Sequence, residues 1–126
     1  MAADYVIINS TPFQFYYRDP GVGGEMDKSF EFTLPSGAKV DSNSVLFWTA
    51  EWNTPPAQML TIRININTKE VYWRRIMGGN SFGSLSAVIA PNVLKEANNT
   101  NNIEFEVQGT ANSGITFSEV YLMIQI

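Results

Sequence analysis

Two of the chain's four arginines, Arg74 and Arg75, stand together behind Tyr72 and Trp73 in the stretch EVYWRRI. A planar guanidinium donates paired hydrogen bonds to a carboxylate or to ligand hydroxyls, and a flat ring offers an apolar floor beside it. The same partnership recurs at Trp52-Asn53, next to the stiff Asn53-Thr54-Pro55-Pro56 stretch, and at Tyr16-Tyr17-Arg18, where the first apolar run ends. These residue types suit recognition of a polyhydroxylated or carboxylate-bearing molecule. The candidate ligand-binding set is therefore Trp52, Asn53, Tyr72, Trp73, Arg74, Arg75, Tyr17 and Arg18.

Bond-making chemistry is poorly supplied. The chain contains no cysteine and no histidine, which removes thiolate nucleophiles, the imidazole base, every Ser/His/Asp or Cys/His triad and the usual zinc, copper and iron ligands. Glu104 and Glu106 alternate on one strand face at a spacing that overlaps glycosidase carboxylate pairs, but alternating glutamates are also how a wet strand face is solvated. The expectation is a non-enzymatic protein without a cofactor. Calcium is the one metal the sequence leaves open, through Glu25 and Asp27 in the glycine-rich stretch PGVGGEMD, which lacks the spacing of a known calcium loop.

Twelve acidic residues against eight basic ones give a net charge of −4, a field that repels phosphate backbones and argues against nucleic acid. No segment reaches the ~20 apolar residues of a membrane helix, and MAADYVIIN shows no basic segment ahead of a long apolar one. The reading is a soluble chain without membrane insertion or export signal, with an extracellular or a virion-associated setting both open.

The elements that must position the candidates follow from period-two patterning. At 126 residues, with 44% hydrophobic, 13% aromatic and 16% charged residues, the chain fits one β-sandwich domain over 1–126. Candidate strands are DYVIINS with its continuation FQFYYR, then KSFEFTL, SVLFWTAEW, QMLTIRINI, EVYWRRI, GSLSAVI, NIEFEVQG and ITFSEVYLMIQI, about eight in all. Leu60, Ile62, Ile64 and Ile66 share a dry face, as do Ile103, Phe105 and Val107, so the layers are antiparallel and wet on one side. Trp48 belongs to the core. Ile115 and Phe117 fall out of phase with Val120, Leu122 and Ile124, and a bulge near Ser118-Glu119 would realign them. If Val71 and Trp73 face inward, Tyr72 and Arg74 face water and Arg75 meets the core, unless it sits at a strand end or stacks on a ring. Asp19-Pro20-Gly21, Pro35-Ser36-Gly37 and Gly78-Gly79-Asn80 read as turns, and Pro91 to Glu96 as one short helical turn.

The order LTIRININTKEVY, VIAPNVLKEANNTNNIEFEVQG, ITFSEVYLMIQI resembles the second half of galactose-binding-like jelly rolls, a group that includes many carbohydrate-binding modules. The matching positions are Asn65 or Asn67, Pro91 to Leu94, Asn102 with Ile103 and Phe105, and Val120 with Leu122; the glycine frequent after the turn asparagine is replaced by Thr68. The resemblance covers about half the chain and implies a jelly-roll sandwich that binds a carbohydrate or glycan without altering it. The alternative is a structural or receptor-binding domain of a phage or viral appendage, or of another multimeric assembly, in which exposed aromatics meet a homo-oligomeric neighbour.

Overall fold

The computed structural model describes residues 3–17 and 25–126, with the backbone alone at Glu25. Arg18 and the expected turn Asp19-Pro20-Gly21 lie outside the described residues. Among the described residues seven strands are formed: β1 (Ala3–Asn9), β2 (Phe13–Tyr16), β3 (Glu25–Phe32), β4 (Ser44–Ile66), β5 (Lys69–Ile89), β6 (Asn101–Gly109) and β7 (Gly114–Gln125). Every pairing is antiparallel. The order is β1-β7-β4-β6-β3, with β2 also on β7 and β5 on β4, and the sheet folds on itself into a barrel-like sandwich. The chain is all-β, as its periodicity predicts.

Seven strands stand where about eight were expected, because two expected breaks are bends within strands while DYVIINS and its continuation FQFYYR form two separate strands, β1 and β2. SVLFWTAEW and QMLTIRINI are joined in β4, 23 residues long, and EVYWRRI and GSLSAVI in β5, 21 residues long. Thr54 pairs with Gly79 and Met59 with Met77, so residues 55–58 stand opposite Gly78 alone. Ala57, Gly78 and Gly79 take positive φ here (67°, 57° and 106°). Pro55 and Pro56 bring no N–H to the ladder, and a bulge is where a strand tolerates that loss. The bend turns β4 from one layer into the other. Its first half pairs with β7 (Val45↔Met123 to Asn53↔Gly114) and its second half with β6 (Leu60↔Gly109 to Ile66↔Ile103).

The interior is filled from both layers. Leu46, Trp48, Leu60, Ile62, Ile64, Ile66, Ile103, Phe105, Val107, Ile115, Phe117, Val120, Leu122 and Ile124 are all buried, matching the expected dry faces. Phe13 lies within 5.4 Å of the ring centroids of Phe30, Phe105 and Phe117, geometry that adds to simple area burial. The bulge in β7 forms as the phase conflict requires: Phe47 pairs with Tyr121 and Thr49 with Ser118, and Glu119 takes φ 52°. Pro35-Ser36-Gly37 turns with Gly37 at φ 87° and an Ala38 N–H to Pro35 carbonyl bond of 3.2 Å.

The helical turn expected at Pro91 to Glu96 does not form. Asn92 adopts φ 66° and donates its N–H to the Val40 carbonyl at 2.7 Å, so the segment is pinned as a turn before a right-handed helix can start.

The β4–β5 hairpin closes on Asn67 and Thr68, both left-handed at φ 50° and 69°, the geometry of a two-residue type I′ turn. A β-branched threonine is strained there, whereas glycine is not. Thr68→Gly, at an exposed position, is expected to stabilise the fold by about 1 kcal/mol, read as a higher urea midpoint at unchanged slope.

Candidate functional site

The phase of EVYWRRI decides which aromatic and guanidinium groups can meet a ligand. Ile64 pairs with Tyr72 while Asn65 pairs with Glu70, so Val71 is an extra residue in β5 and the strand bulges there. Val71 and Tyr72 both pack against the core as a result. The remaining phase is opposite to the expected one: Tyr72, Arg74 and Ile76 turn inward, Trp73 and Arg75 outward. Tyr72 is thus corrected from a rim group to a half-buried one, edge-on to Trp48 at 4.7 Å. Arg74 is half-buried with its guanidinium 5.1 Å from the Trp52 ring centroid, and exposed Arg75 lies 5.8 Å from that of Trp73. Each arginine has found a ring. Because they leave β5 on opposite faces, they cannot close on one ligand as a clamp.

Tyr17 is likewise corrected. It is buried; its hydroxyl donates to the Val107 carbonyl and its N–H to the Ser113 carbonyl at 3.0 Å, while its own carbonyl accepts from Asn112 at 2.7 Å. Its neighbour Tyr16, one residue earlier in alternation, points out and is 46% exposed. The expected loop site at Glu25 and Asp27 is a strand instead. Both residues belong to β3, with Glu25 opposite Gln108 and Asp27 opposite Glu106, so their backbone is committed to the ladder. Among the described residues no group of three or more carboxylates is placed to hold a metal ion.

Trp52 and Asn53 do come together in one groove. They line an open groove of about 520 Å³ on the outer face of the layer β2-β7-β4-β5. Pairing lays its floor in two cross-strand rows. One row reads Gln14, Thr116, Glu51 and Phe82; the next reads Tyr16, Gly114, Asn53 and Asn80. Alternation along each strand sends all these side chains to the same face. The Tyr16 ring lies over Gly114, where a Cβ would come within 3.0 Å of it, so the glycine is what lets the ring lie flat against the sheet. Phe82 rises 72% exposed on the opposite flank, about 14 Å away across three strand spacings.

Amide, hydroxyl and carboxylate groups therefore fill the floor between two aromatic walls. Glu51 is the one charged residue among the described residues of this lining. The arrangement can accept and donate hydrogen bonds over a broad polar surface while stacking apolar faces at either end. Trp52 enters from the core side, held by Arg74 behind it. Sequence reading found Trp52 and Asn53 through their local juxtaposition but missed Gln14, Glu51, Asn80, Phe82, Gly114 and Thr116, which only strand pairing brings together.

The outer face of the other layer is charged instead. Arg63 bridges Glu70 at 2.9 Å and Glu106 at 3.2 Å, and Asn65 donates to Glu106 at 3.1 Å. A shared hydrogen bond with Glu106, helped by partial burial, pushes the Glu104 carboxyl above the ordinary carboxylate range. These contacts describe a solvated strand face stitched by surface ion pairs.

No protein-family model matches the chain, and no curated protein matches it. Solved structures do. A structure of the infectious bursal disease virus Gx strain superposes with a TM-score of 0.57 at 11% identity, over 97% of this chain and 32% of that one. The bacteriophage CBA120 tailspike protein 4 enzymatically active domain gives 0.50 at 15% identity, over 98% of this chain and 19% of that one. A family 29 carbohydrate binding module gives 0.47 at 12% identity, over 98% and 90%. This chain spans about a third of the viral chain and a fifth of the tailspike chain. At such identities the likeness is one of fold alone, consistent with the antiparallel β-sandwich, of jelly-roll type, that this chain forms.

Proposed function

We propose that the protein is a non-catalytic carbohydrate-binding module whose site is the outer groove of β2-β7-β4-β5. The observation that carries this reading is the pair of cross-strand rows, with Tyr16 and Phe82 on opposite flanks and Gln14, Glu51, Asn53, Asn80 and Thr116 between them. Sugar rings present C–H faces to aromatic walls and hydroxyls to amides and carboxylates, and a span of about 14 Å suits an oligosaccharide better than a single ring. Among the described residues of the lining, a lone carboxylate and no cation favour a neutral glycan. No metal ligand is required by this reading.

On a glycan array and by titration calorimetry, a neutral oligosaccharide is expected to bind, and Tyr16→Ala and Phe82→Ala are each expected to weaken it at least about tenfold. Trp73→Ala, on the far layer, should leave affinity unchanged. An array without hits, or equal losses at Trp73 and Phe82, sinks the proposal.

A second reading rests on a separate feature, the apolar remainder of the same outer face. Tyr5, Met123, Val45 and Val88 form one cross-strand row and Ile7, Tyr121 and Phe47 another. Tyr5, Ile7 and Val88 are 59%, 72% and 65% exposed. Apolar rows of this length suit burial against a neighbour, as in a structural domain of a virion or phage appendage. Recognition of a glycan by an assembled appendage would satisfy both readings.

A further inference from the structure

The second half of β5 is an open sheet edge with no charge to guard it. Among the described residues β5 pairs with β4 alone, so one side of its backbone over Asn80–Ile89 presents unpaired N–H and C=O groups. Exposed edges are normally blunted by charged side chains, proline or brevity. Here β3 carries Asp27, Lys28 and Glu31, β2 has four residues, β1 has Asp4, and the first half of β5 has Lys69, Glu70, Arg74 and Arg75. From Met77 to Leu94 there is no charged residue at all, in a chain with net charge −4. Two such edges can approach each other without local repulsion over a length of ten residues, which none of the other edges offers.

The side chains along this edge also match themselves. Phe82 and Val88, 72% and 65% exposed, point to the same outer face and lie three residues to either side of Leu85. An antiparallel two-fold pair of β5 strands with its axis at Leu85 sets Phe82 against Val88 of the partner subunit, and Ser84 against Ser86 of the partner subunit. Both apolar groups are covered, and both rows of hydrogen-bonding groups are satisfied.

We infer that the protein pairs with a second copy of itself through the Asn80–Ile89 edge of β5 in this register, making one continuous sheet across two sandwiches. Phe82 is also the wall of the groove on the β5 side. The row Gln14, Thr116, Glu51, Phe82 then runs on into Val88 and Val45 of the partner subunit, so the second copy packs behind that wall. Nothing in the pairing requires a glycan, and the oligomeric state is tested without one.

The test is analytical ultracentrifugation of the full chain across a concentration series, with melting temperature as the check that each variant is folded. A dimer is expected. Phe82→Lys should raise its dissociation constant at least about tenfold. Phe82→Lys combined with Val88→Glu should restore dimerisation, because each lysine then faces a glutamate across the axis, whereas Phe82→Lys with Val88→Lys should not. The chain lacks cysteine, so Ser84→Cys with Ser86→Cys should also give a disulfide-linked dimer on oxidation. A monomer at all concentrations, which would leave the edge to a strand of some other protein, overturns the inference. So does a dimer indifferent to Phe82→Lys, or one that the lysine–glutamate pair fails to rescue.

Discussion

Replacing Gly109 by alanine is expected to cost the fold about 3 kcal/mol or more, lowering the melting temperature by roughly 10 °C. A Cβ there would lie 2.4 and 2.6 Å from Tyr17 ring carbons and 2.9 Å from a Leu60 methyl. Tyr17 cannot yield, because its hydroxyl is bonded to the Val107 carbonyl and its backbone is bonded at both ends to residues 112–113. Leu60 is fully buried on the other side. The alanine must therefore push the ring off its hydrogen bond or part β6 from β4. Gly83 supplies the control, since a Cβ there meets nothing within 4 Å, and Gly83→Ala should leave stability nearly unchanged. Chemical denaturation of the two variants measures the difference. A Gly109→Ala protein as stable as the parent would mean that the Tyr17 ring does not fill this place.

Asn101→Ala is expected to be nearly as damaging, at about 2 to 3 kcal/mol. Asn101 is fully buried, and its Oδ1 accepts from the Lys95 N–H and from Asn67 Nδ2, both at 2.8 Å. Asn67 Nδ2 also reaches the Val93 carbonyl at 2.9 Å, and Asn67 Oδ1 accepts from the Asn102 N–H at 2.9 Å. Two asparagines thus tie the β4–β5 turn, the 91–95 segment and the start of β6 into one knot. Truncating Asn101 leaves a backbone donor without its acceptor, and the relief of its own unpartnered Nδ2 offsets only part of that cost. Asn67→Gly keeps the left-handed backbone while deleting the side chain. The two changes should be strongly non-additive in a double-mutant cycle, by about 1 kcal/mol, and simple additivity would show that the asparagines stabilise separate parts.

The same knot shows how far the sequence could be read. Asn65 or Asn67, Pro91 to Leu94 and Asn102 stood out as positions resembling a jelly-roll pattern, but neither the choice of Asn67, nor the buried Asn101 beside Asn102, nor the absence of a helical turn at 91–94 could be read there. The alternation in β4, β6 and β7 did foretell the buried faces and even the bulge at Glu119. Residue order alone suffices there because a side-chain period of two against a single oily interior leaves one consistent assignment. Where an element's phase depends on one extra residue, it does not. Val71 looks like an ordinary strand residue, yet by bulging it reverses which of Tyr72, Trp73, Arg74 and Arg75 face outward, and it parts the two arginines.

Composition settled an all-β chain without thiol or imidazole chemistry, since periodicity and inventory are properties of the linear order. The groove was beyond that reading. Gln14, Glu51, Phe82 and Thr116 come from four different strands, and apart from Glu51 beside Trp52 none adjoins a residue that local sequence singled out for ligand binding. Cross-strand register aligns them in one row, and register is set by the bulges and by the packing of the opposite face, both of which exist only once the layers close on each other.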